Sequence, residues 1–372
     1  MRVGIPAEVK NNEFRVAITP AGVAELTRRG HEVLIQTGAG EGSAISDADF
    51  KTAGARLIGT AEQVWGEADL LLKVKEPIAS EYPLLRRGQT LFTFLHLAAS
   101  RPCTEALLAA GTTSIAYETV QTARGALPLL APMSEVAGRL SAQVGAYHLM
   151  RTHGGRGLLM GWGCPGVGPA DVVVIGGGTA GYNAARIAGG MGAHVTVFDV
   201  NINRLRDLDA EFAGRIRTRY SSPYELEGAV KRADLVIGAV LLPGAKAPRV
   251  IANALVAQMK PGTVLVDIAI DQGGCFEDSR PTTHDDPTFA VHDTLFYCVA
   301  NMPAAVPKTS TVALTNATMP YVLTLADQGW HAACRADPAL AHGLSTHGGA
   351  LLSDRVATDL GLPFTDPASV LS

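Results

Sequence analysis

The chain has 372 residues, of which 47% are hydrophobic and 18% are charged, and its formal net charge is −4. This length is sufficient for about two domains, each with its own core. The slight negative charge and the scattered Lys and Arg residues argue against the clustered basic face of a nucleic-acid-binding protein. The five cysteines have no close pairing, which is typical of reduced thiols and not of a disulfide framework or a zinc site.

The N-terminus and the longest apolar segments indicate where the protein resides. The first ten residues, MRVGIPAEVK, lack the apolar core of a secretory signal. No segment reaches the ~20 uninterrupted apolar residues that a membrane helix needs, and Arg186 with several glycines interrupts the longest candidate. The sequence therefore predicts a soluble, cytoplasmic protein that binds neither membrane nor nucleic acid.

The first third of the chain alternates short apolar runs with helical patterns. A helix is predicted over 20–30, because Pro20 opens it and Gly30 closes it, as both residue types tend to do. The runs are apolar on both faces, which favours a parallel sheet covered by helices. The predicted strands are 2–5, 31–36, 69–74, 90–95 and 113–118.

A second alternating series follows an irregular stretch. A Pro-containing loop leads into a long helix predicted to start near Ser134, whose side chain suits an N-cap. A Gly-rich connection covers 154–170, and a further long helix is expected over 307–330, followed by a helical tail. The predicted strands between them are 171–176, 194–200, 215–220, 234–240, 263–270 and 295–301.

These patterns predict an α/β fold of two doubly wound, Rossmann-like domains with a cleft between them, joined by long helices. The tail is too short to bury a core alone, so we expect it to pack on the first domain. The expected domains are 1–128 plus 307–372, and 129–306.

The segment 171–200, DVVVIGGGTAGYNAARIAGGMGAHVTVFDV, carries a nucleotide-binding pattern. Gly176, Gly178 and Gly181 form G-x-G-x-x-G directly after an apolar strand and before an Ala-rich helix. The first glycine allows a tight turn, the second lets the backbone approach a pyrophosphate, and the third lets helix and strand pack closely. The first N–H groups of the helix attract phosphate. The alternative is a tight turn without a ligand.

The acid that ends the following strand bears on which dinucleotide is bound. Asp199 lies 18 residues after Gly181 (199 − 181). A carboxylate there accepts hydrogen bonds from the adenosine ribose and repels a 2′-phosphate. The sequence therefore predicts NAD, although the positive charge of nearby Arg204 works against this discrimination.

Reactive side chains follow several predicted strands. Ligands of open α/β sheets lie beyond the carboxyl ends of the strands, where Arg15, Lys75 and His96 of the first domain and Asp271 of the second are expected. If the two crevices face each other, these four side chains converge on the nicotinamide. Each position also has a structural alternative. Arg15 can be a solvated loop cation, and one of Lys73 and Lys75 can reach solvent. His96 can be a structural histidine, and Asp271 can cap the Gly-rich turn behind it.

Five separated segments, in order, resemble the bacterial L-alanine dehydrogenase family, which includes the NAD-binding subunit of transhydrogenase. They are MRVGIPAEVKNNEFRVAITPAGV, LLLKVKEP, FTFLHLAA, GGGTAGYNAARIAGGMGA and VDIAIDQGGCFE. The resemblance implies reversible, NAD-dependent oxidative deamination of L-alanine to pyruvate and ammonia. It also implies a homohexamer, and a substrate domain made of the first domain and the tail.

The resemblance implies roles for the residues at matching positions. Arg15 and Lys75 match substrate-binding positions, and His96 and Asp271 match acid–base positions. These roles suit the side chains, because arginine binds a carboxylate with two hydrogen bonds and a lysine stabilises a developing oxyanion. An imidazole, with an ordinary pKa near 6.5, transfers protons well near neutral pH.

The resemblance also implies a set of cofactor-binding positions beyond the three glycines. No metal is expected, because the histidines are dispersed and no Cys, His and carboxylate cluster has ligand spacing. The implied cofactor-binding residues are Ser134, Thr179, Ala180, Asp199, Arg204, Ser221, Val240, Leu241, Ile268, Ala269, Ile270, Arg280, Val299, Ala300, Asn301 and Met302.

Three other functions compete with this interpretation. The NAD-binding subunit of proton-translocating transhydrogenase works against a membrane partner and binds no amino acid, so it does not need Arg15, Lys75 and His96 together. A relative acting on saccharopine or lysine would need further contacts to a long substrate. An NAD sensor would bind NADH and turn over no amino acid.

Overall fold

The computed structural model describes residues 1–240 and 247–372. The chain divides into two compact units. The first unit comprises Met1–Met133 with Ala304–Ser372, and the second comprises Ser134–Pro303. The boundaries expected from the sequence are 128/129 and 306/307.

The first unit opens with parallel strands that alternate with helices. The strands are β1 (Arg2–Ile5), β2 (Glu32–Gln36), β3 (Arg56–Ile58), β4 (Leu70–Leu72), β5 (Thr90–Thr93) and β6 (Thr113–Ala116). The helices are α1 (Pro20–Arg28), α2 (Asp47–Thr52), α3 (Ala61–Glu67) and α4 (Arg101–Ala110). The strands pair in the order β6-β5-β4-β1-β2-β3, and every pair is parallel. β4, β5 and β6 are buried along their whole length, as a sheet covered on both faces requires. The short β3 was not predicted.

The second unit carries the second sheet. Its elements begin with α5 (Ala131–His148), which starts in the first unit, β7 (Asp171–Ile175), α6 (Thr179–Gly190), β8 (His194–Asp199), α7 (Ile202–Phe212) and β9 (Arg217–Tyr220). They continue with α8 (Pro223–Val230), β10 (Leu235–Gly238), α9 (Asn253–Val256), β11 (Val264–Asp267), β12 (Thr288–Val291) and β13 (Thr294–Tyr297). The order is β12-β13-β11-β10-β7-β8-β9. Only the pairing of β12 with β13 is antiparallel among these described strands.

The strand order of the second sheet reverses at β7, which lies between β8 and β10. In an open α/β sheet, this reversal opens the crevice where a ligand binds beyond the strand ends. Val173, Phe198, Val236 and Leu265 from four of these strands belong to one buried hydrophobic core.

Several predicted boundaries in this unit were wrong, and the strand predicted over 295–301, for example, ends at Tyr297. Helix α5 begins at Ala131, so Ser134 lies inside it and does not cap it. Pro132 does not prevent the earlier start, because proline is tolerated in the first turn of a helix. The strand predicted over 263–270 ends at Asp267, whose carboxylate accepts a hydrogen bond from Ala269 N at 3.0 Å and starts a 3-10 helix over Ile268–Gln272.

The tail combines helices with two strands of the first sheet. It comprises α10 (Pro307–Ala336), α11 (Pro338–Ala341), β14 (Leu344–His347), β15 (Ala350–Leu351), α12 (Asp354–Leu360) and α13 (Ala368–Leu371). Helix α10 runs beyond the predicted 307–330 and is interrupted at Gly329, which has φ 75° and ψ 158°. No helix in the described ranges is long and apolar enough to cross a membrane.

The expectation of a helical tail was wrong over 344–351, which forms two strands. β14 pairs antiparallel with β6 and with β15, so the tail extends the first sheet at that edge. Gly348 and Gly349 connect the two strands with φ values of 61° and 99°. Two consecutive positive φ values are typical of a tight hairpin turn, and a Gly-Gly pair in the sequence is a signal for it.

Candidate functional site

The carboxyl ends of β1, β4, β5 and β6 lie side by side in the first sheet. Arg15 follows β1, Lys75 follows β4, His96 follows β5 and Glu118 follows β6. The first three residues were predicted from the sequence, and Glu118 was not. The same criterion would have found it, because Glu118 is the last residue of the strand predicted over 113–118.

Arg15 is buried, with 2% of its surface exposed, so it is not a solvated loop cation. Its Nε donates to Glu13 Oε1 at 2.7 Å and its Nη2 donates to Glu13 Oε2 at 2.5 Å. Its Nη1 lies 3.0 Å from Met133 Sδ. The paired hydrogen bonds to one carboxylate fix the plane of the guanidinium.

Lys75 is 4% exposed and belongs to a charge cluster with Glu76, which the sequence analysis did not identify. Its Nζ lies 3.6 Å from Oε2 of Glu76, and Lys10 Nζ donates a hydrogen bond to Oε1 of the same carboxylate. Burial works to raise the pKa of Glu76, but the charges of Lys75, Lys10 and His96 outweigh it and lower this pKa to about 2. Glu76 therefore stays ionised beside Lys75.

Lys73 is fully buried, so the alternative in which one of the two lysines reaches solvent is wrong. Its Nζ lies 3.0 Å from Glu8 Oε2 and 2.8 Å from Glu81 Oε1. Burial works to lower the pKa of Lys73, but the two carboxylates reverse the balance and raise it. Glu8 Oε1 also accepts the N–H of Val74 at 2.6 Å, which anchors the segment leading to Lys75.

His96 has a left-handed backbone conformation, with φ 47° and ψ 40°. The N–H of His96 donates to Glu118 Oε1 at 2.6 Å, and the N–H of Leu95 lies 3.2 Å from both oxygens of the same carboxylate. The imidazole stacks on the ring of Phe94, with 5.8 Å between centroids and 6° between planes. The side chain is half-buried.

The three glycines of the predicted nucleotide turn differ in their surroundings. Gly176 has φ 97°, and a Cβ there would lie 2.6 Å from Ala239 O. A Cβ on Gly181 would lie 1.7 Å from Gly176 O, so only glycine allows α6 to pack this closely on β7. A Cβ on Gly178 would meet no described atom within 4 Å. Open space in front of Gly178, at the start of α6, fits the approach of a pyrophosphate.

Asp199 and Arg204 are both tied to this turn. Asp199 Oδ2 accepts the N–H of Gly177 at 2.7 Å, and Oδ1 accepts the N–H of Asn201 at 2.8 Å. Arg204 Nε donates to Gly177 O at 2.6 Å, and its guanidinium lies 5.7 Å from the centroid of the Tyr182 ring. An ionised carboxylate has about four lone-pair directions, so Asp199 retains acceptor capacity for ribose hydroxyls.

Most of the other implied cofactor-binding residues lie directly after the carboxyl ends of strands in the second sheet. Leu241 lies outside the described residues, Ser134 lies in α5, and Arg280 lies 4.1 Å above the Phe289 ring. Those at the edge or in the first turn of α6 are Thr179, Ala180, Ser221, Val240, Ile268, Ala269, Ile270, Val299, Ala300, Asn301 and Met302.

Asp267, which the sequence analysis did not identify, organises the loop that carries Asp271. Its buried carboxylate accepts hydrogen bonds from Cys275 N at 2.8 Å and Ser279 Oγ at 2.5 Å. Burial raises the pKa of Asp267, although these bonds oppose the shift. Asp271 is exposed, and each of its oxygens lies 3.3 Å from Asn301 N. The structural alternative for Asp271 was that it caps the Gly-rich turn behind it. In the structure, the side chain that makes hydrogen bonds across this turn is that of Asp267.

Comparison with known proteins connects this geometry to a family. Residues 4–137 match the description "Alanine dehydrogenase/PNT, N-terminal domain", and residues 141–354 match "Alanine dehydrogenase/PNT, C-terminal domain". The chain belongs to the alanine dehydrogenase/PNT family. Within this family, it is 84% identical over 372 residues to the alanine dehydrogenase of Mycobacterium tuberculosis. It is 54% identical over 371 residues to that of Halomonas elongata, and both alignments cover 100% of each chain.

Solved structures support the same assignment. An L-alanine dehydrogenase structure matches with a TM-score of 0.92 at 48% identity, over 97% of this chain and 99% of that chain. A transhydrogenase from Sinorhizobium meliloti matches with a TM-score of 0.80 at 25% identity, over 95% of this chain and 99% of that chain. The likeness confirms the predicted α/β class, and the transhydrogenase is the more distant of the two. Within residues 1–240 and 247–372, no group of three or more His, Cys, Asp and Glu side chains could hold a metal ion.

Proposed function

We propose that the protein is an NAD-dependent L-alanine dehydrogenase. It catalyses the reversible reaction of L-alanine, NAD⁺ and water to give pyruvate, ammonium, NADH and a proton. The observation that carries the proposal is the set of Arg15, Lys75 and His96 at the ends of the adjacent strands β1, β4 and β5. Alanine dehydrogenase is also the name of full-length relatives at up to 84% identity.

The first unit binds the amino acid or keto acid in this proposal. Arg15 binds the substrate carboxylate, since an arginine can pair with a carboxylate through two hydrogen bonds and Glu13 holds the plane of this guanidinium. Lys75 donates to the carbonyl oxygen of pyruvate and stabilises the carbinolamine oxygen. The ionised Glu76 beside Lys75 balances its charge before substrate arrives.

The second unit binds NAD in this proposal. Gly176, Gly178 and Gly181 support the pyrophosphate at the start of α6, and Asp199 accepts hydrogen bonds from the adenosine ribose. We assign the remaining contacts to the residues that follow the strands of the second sheet. NAD⁺, when bound, accepts the hydride that leaves Cα of alanine.

The proton transfers are assigned to His96 and Asp271. Loss of the hydride leaves an iminium, which water attacks to give a carbinolamine, and this then releases ammonia. His96 takes a proton from the attacking water and returns one to the departing amine. Asp271, from the second unit, is the second acid–base group. We further propose that the enzyme is a cytoplasmic homohexamer.

The purified protein with L-alanine and NAD⁺ tests the proposal. We expect NADH and pyruvate in equal amounts, with no membranes and no second nucleotide present, and the reverse reaction from pyruvate, ammonium and NADH. D-Alanine is the matched control and should give no NADH. Tight NADH binding without turnover of L-alanine would instead support an NAD sensor, and a requirement for membranes would support the transhydrogenase subunit.

A further inference from the structure

The backbone of His96 is unfavourable for a residue with a side chain. Its φ of 47° and ψ of 40° are in the left-handed region, which glycine enters freely and other residues enter at a cost. His96 stands where the chain leaves β5 and enters a 3-10 helix over Leu97–Ala99. Such a conformation persists only where the surroundings hold it.

The Glu118 carboxylate holds this turn. It lies in the 3-10 helix Tyr117–Thr119, which directly follows β6, the neighbour of β5. The carboxylate receives the N–H of His96 at 2.6 Å and the N–H of Leu95 at 3.2 Å. Hydrogen bonds from N–H groups to a carboxylate are stronger than those between neutral groups.

The turn determines where the imidazole is placed. The His96 ring stacks on Phe94 and, when protonated, attracts the carboxylate of Glu76, which lies beside Lys75. If the turn relaxed, the ring would leave this arrangement while Lys75 kept its own anchors. The acid–base group would therefore be displaced without loss of the substrate cations.

We propose that Glu118 is a positioning residue, which holds His96 in the left-handed turn that places its imidazole for proton transfer. The proposal rests on the proposed function, because it takes His96 as the acid–base group. Removal of the Glu118 carboxylate should therefore lower turnover only when the His96 imidazole is present. It should also loosen the backbone of the turn, which can be measured without turnover.

Steady-state kinetics of Glu118→Ala test the first part. We expect kcat to fall about 10²-fold, the scale for a misplaced catalytic group, with KM for pyruvate close to the wild-type value. Glu118→Gln should lose less, because its amide oxygen can still accept the N–H of His96, and its near-identical shape preserves the fold if the alanine variant does not fold. Thr119→Ala, in the same 3-10 helix, is the matched control and should retain wild-type kcat.

A double-mutant cycle separates positioning from a general structural role. In a His96→Ala background, Glu118→Ala should cause little further loss, because the imidazole that it positions is already absent. An equal loss in both backgrounds would overturn the proposal, as would an unchanged kcat in folded Glu118→Ala.

Amide hydrogen exchange tests the second part without any turnover. Peptides covering 94–99 should exchange faster in Glu118→Ala than in Thr119→Ala, while peptides from β1 and β4 stay unchanged. Unchanged exchange over 94–99 would overturn the proposed hold on the turn. A wild-type protein that does not oxidise L-alanine would overturn the proposed function, and the exchange result would still decide whether Glu118 holds the turn.

Discussion

Alanine substitutions at Gly181 and Gly178 separate the folding role of the glycine turn from its binding role. A methyl group on Gly181 would lie 1.7 Å from Gly176 O, and this neighbour is backbone, which cannot rotate away. Overpacking of this kind costs about 1–3 kcal/mol. In a domain of 150–250 residues, 1 kcal/mol lowers Tm by about 2–4 °C. We therefore expect Gly181→Ala to lower the Tm of the second unit by about 2–12 °C.

Gly178→Ala should behave in the opposite way. Its φ of −64° suits any residue, and no described atom lies within 4 Å of the added methyl group. The change in the free energy of unfolding should stay within about 1 kcal/mol. The methyl group would, however, occupy the space in front of the turn where we expect the pyrophosphate, so NADH binding should weaken.

Thermal unfolding with and without NADH measures both effects. At 100 times its Kd, NADH stabilises the wild-type protein by about 2.7 kcal/mol. If Gly178→Ala weakens binding about 100-fold, the same concentration stabilises the variant by only about 0.4 kcal/mol. An undiminished NADH-dependent shift in Gly178→Ala would refute the placement of the pyrophosphate. A wild-type Tm in Gly181→Ala would refute the packing argument.

Three further substitutions test individual side chains. Asp199→Asn should relax the preference for NAD over NADP, because it removes the charge that repels a 2′-phosphate. An unchanged ratio of kcat/KM for the two cofactors would reject this role. Lys75→Ala should raise KM for pyruvate about 10- to 100-fold through loss of a charged hydrogen bond. The control Lys51→Ala, at an exposed position, should leave KM unchanged. A wild-type KM in Lys75→Ala would reject the proposed contact. Glu76 has a pKa of about 2 when folded, below its usual 4.5, so it contributes about 3 kcal/mol of stability above pH 4.5 that is lost as the pH falls towards 2. Denaturant unfolding of Glu76→Gln should show lower stability at neutral pH and a smaller decrease over that pH window, and an identical pH dependence would contradict the argument.

Features that depend on a local signal could be predicted from the sequence. The strand, glycine turn and helix of 171–190 follow from the spacing of Gly176, Gly178 and Gly181 and from apolar runs on either side. The hairpin in the tail was missed because its strands are short, although Gly348 and Gly349 marked the turn. The start of α5 at Ala131 was not predicted, because Ser134 suits an N-cap, whereas Pro132 is equally suited to a first turn.

The sequence predicted which reactive side chains lie at strand ends. It did not predict which residues those side chains contact. Glu13, Glu76 and Glu118 were visible as acids, and the pattern did not indicate which cation or N–H group each one meets. The sequence alone did not distinguish the environment of Lys73 from that of Lys75. In the structure, Lys73 is buried between the carboxylates of Glu8 and Glu81.

Amino-acid order alone determined the alternation of strands and helices, the nucleotide turn and the strand ends where Arg15, Lys75 and His96 stand. These features depend on backbone sterics and on periods of two and 3.6 residues, which act over short stretches of chain. Tertiary structure alone decided the pairing of Glu8 with Lys73 and of Lys10 with Glu76, residues 65 and 66 positions apart. Ion-pair partners and burial depend on distances that exist only after distant strands have assembled into one sheet.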